Sequence, residues 1–161
     1  MKYIGPDFCN ITTLLSDEEL LIQKTANEFV AKEFIPLVNE YYEKGSFPVD
    51  LIPKMGELGF FGATLPKKYG GSEISSTAYG LIMQELEKGD SGLRSVCSVQ
   101  GGLVMYPIFQ YGTEEQKDKW LPKLASGEAV GCFGLTESNH GSDPGGMTTK
   151  AVKDGDDWII N

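Results

Sequence analysis

Residues 131–146 read GCFGLTESNHGSDPGG and mark the point where the chain changes texture. Upstream, apolar residues recur at helical spacing. Downstream, residues 147–161 read MTTKAVKDGDDWIIN, two strands around a turn at Asp154 and Gly155, because Asp-Gly between short strand-like runs is a strong hairpin signal. The stretch itself holds the chain's one histidine, His140, three residues from Glu137 and three from Asp143. On a helix that spacing would make the three side chains neighbours. Gly141 and Pro144 oppose a continuous helix, however, and the spacing matches no standard metal-ligand set. Neither phosphate fingerprint, GxGxxG after a strand or GxxxxGK[ST], is present. The residues do offer hydroxyls, free amides and glycines that let backbone come close to a planar or anionic ligand. On pattern alone, a loop shaped by turn chemistry is the commoner explanation.

Working back from that loop, the chain reads as helical from Leu14 to about Leu124. SDEELLIQKTANEFVAKEF opens with Ser16 and Glu19 in capping-box spacing, and Ile22, Ala26, Phe29, Val30 and Phe34 line one face. Pro36 breaks or restarts the helix. VDLIPKMGELG predicts a short helix closed by Gly59, and FFGATLPKKYGGSEIS a loop. Two longer helices follow, STAYGLIMQELEK and GLRSVCSVQGGLVMYPIFQYG. Thr113 and Gln116 repeat the capping-box spacing before a last short helix. The expected fold is therefore mainly α: a helical domain over residues 1–125, then the first strands of a β domain over 126–161. EAVGCFGLT is counted among those strands. Two or three short strands do not make a stable sheet layer alone, so the chain reads as the front piece of a longer protein.

Composition excludes several classes of function. Of 161 residues, 14 are basic and 23 acidic, giving a net charge of −9. That argues against nucleic acid, whose binding needs a basic footprint, and against anionic lipid. Cys9, Cys97 and Cys132 are odd in number and lack CxxC spacing, so neither a disulfide framework nor a zinc site is expected, and a reducing, cytoplasmic setting is. MKYIGPDFCN shows no export signal, and GGLVMYPIF is too short to span a bilayer.

CFGLTESNHGSDPGGM resembles the signature of the acyl-CoA dehydrogenases, flavoenzymes that desaturate CoA thioesters. The run ELEKGDSGLRSVCSVQGGLVMYPIFQYGTEEQKDKWLPKLASGEAVGCFGLTE is most similar to the glutaryl-CoA dehydrogenase branch. The similarity extends from about Leu15 to Asn161 and includes MGELGFFG and YGG. It implies an N-terminal helical domain, a middle β domain and a C-terminal four-helix domain, with FAD as cofactor and a tetramer as the usual assembly. It also implies a place in fatty-acid or amino-acid catabolism, in the cytoplasm or in the mitochondrial matrix of a eukaryote. By this resemblance Phe133, Gly134, Leu135 and Thr136 run beside the flavin ring, with Thr136 bonding its polar edge and Gly134 permitting close approach. Gly141 and Ser142 belong to the same cofactor-binding loop, Ser142 lying near the flavin pyrophosphate and the acyl-CoA. His140 becomes an ordinary loop residue.

The branch assignment rests on Arg94. Read without the resemblance, it is a structural arginine paired with Glu87 or Asp90, or a solvent-exposed one, since a buried charge needs a partner. The resemblance makes it the group that grips the distal carboxylate of glutaryl-CoA, which guanidinium does with two parallel hydrogen bonds. Ser95 and Ser98 would add hydroxyls, and Glu87 would hold the arginine when substrate is absent. The family's catalytic base is a glutamate of the C-terminal domain, to which nothing in this chain corresponds. These 161 residues alone are thus expected to be inactive, while the whole protein would convert glutaryl-CoA to crotonyl-CoA and pass electrons to an electron-transferring flavoprotein. Two alternatives stand beside this: a general short-chain acyl-CoA dehydrogenase or oxidase, and, if the natural chain ends at Asn161, a non-catalytic helical interaction module.

Overall fold

A computed structural model describes residues 7–161; residues 1–6 of the expected helical domain lie outside it. Seven α-helices and one β-hairpin follow in order among the described residues. Helix α1 (Asp17–Phe29) starts on the expected capping box: the Ser16 side chain accepts from the Glu19 N–H, and Glu19 returns the contact to the Ser16 N–H. It runs into a π-helical turn (Val30–Phe34), closed by Ile35 N–H donating to the Val30 carbonyl at 2.9 Å. Pro36 falls between that turn and α2 (Val38–Lys44), because its ring denies the helix a backbone donor.

Helix α3 (Leu51–Glu57) packs on α7 (Glu114–Ser126), whose Thr113–Gln116 capping box also forms as expected. The two approach so closely that a β-carbon at Gly56 would overlap the Ser126 carbonyl. The last helix is longer than KDKWLPKLASGE suggested, since its cap lies four residues before that run. Helix α4 (Ser76–Gly89) lies against α1, and α5 (Ser91–Ser98) against α4. Helix α5 continues through a second π-helical turn (Val99–Met105) into α6 (Tyr106–Tyr111).

The core lies between these helices and the loop 60–75. Phe29, Phe60, Phe61, Met55, Leu86, Leu93, Cys97, Met105 and Leu121 are buried, each large side chain removed from water contributing ~1.5–3 kcal/mol. Phe29 and Phe60 meet edge to face with centroids 5.7 Å apart. FFGATLPKKYGGSEIS is a loop, as expected, but one that dives into the core, burying Phe60, Phe61, Ala63, Leu65 and Tyr69. The Tyr69 hydroxyl and the Lys68 ammonium pin it to α7, both donating to Glu114 at 2.9 and 3.0 Å. Cys97 is packed against the Phe60 carbonyl, and burial pushes its thiol up to about 12, which makes it unreactive. Cys9 and Cys132 are exposed and free.

One polar cluster is embedded here. Glu85 is 2 % exposed and accepts from Gln23 of α1 at 3.0 Å, Asn27 of α1 at 2.9 Å and Lys88 at 2.7 Å, tying α1 to α4.

The β part is smaller than the sequence suggested. Strands β1 (Ala151–Asp154) and β2 (Asp157–Ile160) pair antiparallel, with Val152 opposite Ile159 and Lys153 opposite Trp158. The turn residues are Gly155 and Asp156, one position later than expected, because Asp154 pairs with Asp157 and Gly155 takes the positive φ of 61°. Residues 128–136, expected as a strand, have no sheet partner among the described residues. Both faces of the hairpin are exposed, Trp158 and Ile160 included. Among the described residues no helix is long and apolar enough to cross a membrane.

Candidate functional site

Two groups of residues were singled out by the sequence, and the structure places them on different parts of one scaffold. The first lies at the junction of α4 and α5. Asp90 interrupts the helix there: its backbone is extended and its carboxylate caps α5 by accepting from the Gly92 N–H. The last turn of α4 thereby faces the first turns of α5, and Glu87 meets Arg94. The Arg94 Nε donates to Glu87 Oε2 at 2.8 Å, and its Nη1 donates to the Ser98 hydroxyl at 3.2 Å. Ser91 donates to the other Glu87 oxygen. These hydroxyl and guanidinium contacts, Ser91 first, hold the Glu87 carboxyl below the usual carboxylate range. Asp90, the other partner considered for Arg94, is occupied with the cap.

The Arg94 side chain is 36 % exposed, and Nη2 has no acceptor among the described residues. The guanidinium is therefore oriented but not used up. Ser95 contributes its carbonyl to Ser98, and its own hydroxyl is uncommitted.

The second group is the strip 133–142. Phe133 is 49 % exposed and Leu135 36 %, Gly134 has open space beside it, and Thr136, Gly141 and Ser142 are exposed. The hydroxyls of Thr136 and Ser142 make no hydrogen bond among the described residues. No hydrogen bond joins this strip to the Arg94 group directly.

Glu137, a metal-ligand candidate by spacing alone, is instead the clasp of the loop. Its carboxylate accepts from the Thr148 N–H at 2.8 Å, the Thr148 hydroxyl at 3.1 Å and the Thr149 N–H at 2.9 Å, and its backbone bridges His140. Among the described residues no group of three or more His, Cys, Asp or Glu is placed to hold a metal. The Thr148 amide, followed by the Thr149 contacts, holds the Glu137 carboxyl at about 2, against 4.5 for an ordinary glutamate. A depressed carboxylate stabilises the loop fully above its unfolded value and loses that contribution as pH falls through the folded one. The Thr148 and Thr149 amide resonances are accordingly expected to shift with a midpoint of about 2 on acidification. Glu137→Gln should abolish this titration; a midpoint near 4.5 would show the clasp to be open in solution.

Sequence reading missed Gln100. The side chain is 2 % exposed and bonds the Leu124 and Ala129 carbonyls and the Gly131 N–H. A lone amide among small and apolar residues in SVQGG was its one visible signal.

The strip suits the edge of a flavin: exposed apolar side chains for the ring face, open space at Gly134, and uncommitted hydroxyls for polar atoms. The family likeness is direct. Residues 16–128 match the acyl-CoA dehydrogenase N-terminal domain, and the chain belongs to the acyl-CoA dehydrogenase family. It is 42 % identical over 149 residues to a probable acyl-CoA dehydrogenase, YngJ, of Bacillus subtilis, covering 91 % of this chain and 39 % of that protein. Among solved structures, glutaryl-CoA dehydrogenase from Mycobacterium smegmatis superposes with a TM-score of 0.90 at 50 % identity, over 96 % of this chain and 40 % of that one. A Mycobacterium smegmatis glutaryl-CoA dehydrogenase in complex with FADH2 gives 0.92 at 46 % identity, with the same coverage. The chain thus spans about two-fifths of the length of the proteins it matches.

Proposed function

We propose that this chain is the N-terminal part of an FAD-dependent acyl-CoA dehydrogenase whose substrate is glutaryl-CoA, which it oxidises and decarboxylates to crotonyl-CoA. Residues 1–125 form its helical domain and residues 126–161 begin the middle β domain. One observation carries the substrate assignment: a guanidinium held in place by Glu87 and Ser98 that still has donors free. An acyl chain ending in a carboxylate would take those donors in a charge-assisted, two-bond grip. On the same helix Ser95 has an uncommitted hydroxyl to add, and Ser98 could add its own only by giving up its bond to the Ser95 carbonyl.

Phe133, Gly134, Leu135 and Thr136 would receive the isoalloxazine edge, and Gly141 and Ser142 the phosphate-bearing part of FAD and the acyl-CoA. When bound, FAD supplies the acceptor for the hydride of the β-carbon. This chain's own task is alignment: Arg94 fixes one end of the substrate so that its α- and β-carbons stand over the strip. The base would come from the C-terminal domain that the family resemblance implies; of the carboxylates near these groups, Glu85 and Glu137 are engaged in structural contacts and Glu87 holds Arg94. The reading includes a homotetramer, electron transfer to an electron-transferring flavoprotein, and a reducing compartment, cytoplasm or mitochondrial matrix.

A second reading is a general short-chain acyl-CoA dehydrogenase or oxidase. It is favoured by the Glu87–Arg94 pair itself, which would neutralise the arginine with no anionic substrate at all. The protein at its natural length separates these. It is expected to purify yellow and to have its flavin bleached anaerobically by glutaryl-CoA in preference to butyryl-CoA. Equal bleaching by both would favour the second reading, and a colourless protein would leave the non-catalytic helical module.

A further inference from the structure

The helix that presents Arg94 also grips the chain leading to Thr136, through one buried amide. Gln100 lies in the π-helical turn (Val99–Met105), buried where that turn packs on α7. Its Nε2 spends both protons on carbonyls, Leu124 at 2.9 Å and Ala129 at 2.8 Å, and its Oε1 accepts the Gly131 N–H at 3.0 Å. The contact is tight on the chain's side as well: a β-carbon at Gly131 would overlap the Val104 side chain, so only glycine lets the segment lie this close to the helix.

Beyond Gly131 the backbone of residues 132–136 makes no hydrogen bond among the described residues until Glu137 bridges His140. The strip is thus suspended between two anchors, Gln100 at one end and the Glu137 clasp at the other. We infer that Gln100 is a positioning residue for the flavin: it touches neither cofactor nor substrate, but sets where residues 131–136 leave the helical body, and so the distance between the strip and Arg94 on the same helix. This rests on the proposed FAD-binding role of the strip.

The test uses the protein at its natural length. Gln100→Met keeps the volume and removes all three hydrogen bonds. It is expected to cut exchange protection of the Gly131 amide by at least ~10-fold, to weaken FAD binding by at least ~10-fold, and to shift the flavin absorption spectrum. Phe34→Ala, which opens a core cavity in the Val30–Phe34 turn beside Gly89 of α4, is the control for general destabilisation. If Gln100→Met does not accumulate as folded protein, Gln100→Asn, shorter by one methylene but still polar, carries the comparison with an expected loss of about 3-fold. Wild-type protein that binds no FAD would overturn the proposed function itself. A wild type that binds FAD, with the Gln100 variant within about two-fold of it and spectrally unchanged, would overturn this inference alone. Equal weakening by Phe34→Ala at a matched melting temperature would also overturn it, by reducing Gln100 to a stability role.

Discussion

If the proposed function holds, Arg94→Met in the protein at its natural length is expected to lower kcat/KM for glutaryl-CoA by roughly ten- to a hundred-fold, while kcat/KM for butyryl-CoA holds or rises. The magnitude follows from the loss of a charge-assisted contact, ~1.5–3 kcal/mol. Selectivity is the informative part. Arg94 Nε is already bonded to Glu87 at 2.8 Å, so the substitution also strands Glu87, which keeps only Ser91 as partner. A general disturbance of the α4–α5 junction would penalise both substrates alike. Removal of a carboxylate receptor penalises only the diacid, because a straight acyl chain has no anion to lose. Equal losses on the two thioesters would refute the assignment of Arg94 to the substrate.

Glu85→Ala is expected to weaken the helical body substantially. Its carboxylate is 2 % exposed and accepts three donors, and deletion leaves Gln23, Asn27 and Lys88 without that acceptor. Breaking a buried ion pair costs ~3–5 kcal/mol; the Lys88 side chain is 36 % exposed and can turn to water, which places the effect near the lower end. For a domain of this size that corresponds to a fall in Tm of about 6–12 °C. Glu85→Gln, which keeps an acceptor for α1, should lose less. Thermal unfolding followed by circular dichroism decides the matter, and an unchanged melting point for Glu85→Ala would show that the cluster does not hold α1 to α4.

The helical body was legible because its signals are local. Capping boxes at Ser16 and Thr113, the spacing of Ala26, Phe29, Val30 and Phe34, and the punctuation at Pro36 and Gly59 each act within one or two turns of chain. Glu87 was legible as one of two candidate partners for Arg94, Asp90 being the other, because both lie close in sequence to it; the structure pairs Arg94 with Glu87. What escaped depends on distant partners. Glu85 looked like one more carboxylate until α1 brought Gln23 and Asn27 to it. Gln100 gains its meaning from Ala129 and Gly131, about thirty positions on. Residues 130–136 carry a strand's composition, but a strand exists only where a neighbour supplies the other half of its ladder.

The winding of the Arg94 helix has a bearing on which changes it can tolerate. A π-helical turn such as Val99–Met105 is an α-helix carrying extra chain in one turn. Because the wider turn takes up that extra residue, a deletion there would restore ordinary winding and leave Arg94 and Ser98 facing much as before relative to Tyr106. The same deletion inside α5, at about 100° per residue, would swing the residues before it around the axis relative to those after it. Where a codon is lost along this helix therefore decides which face survives.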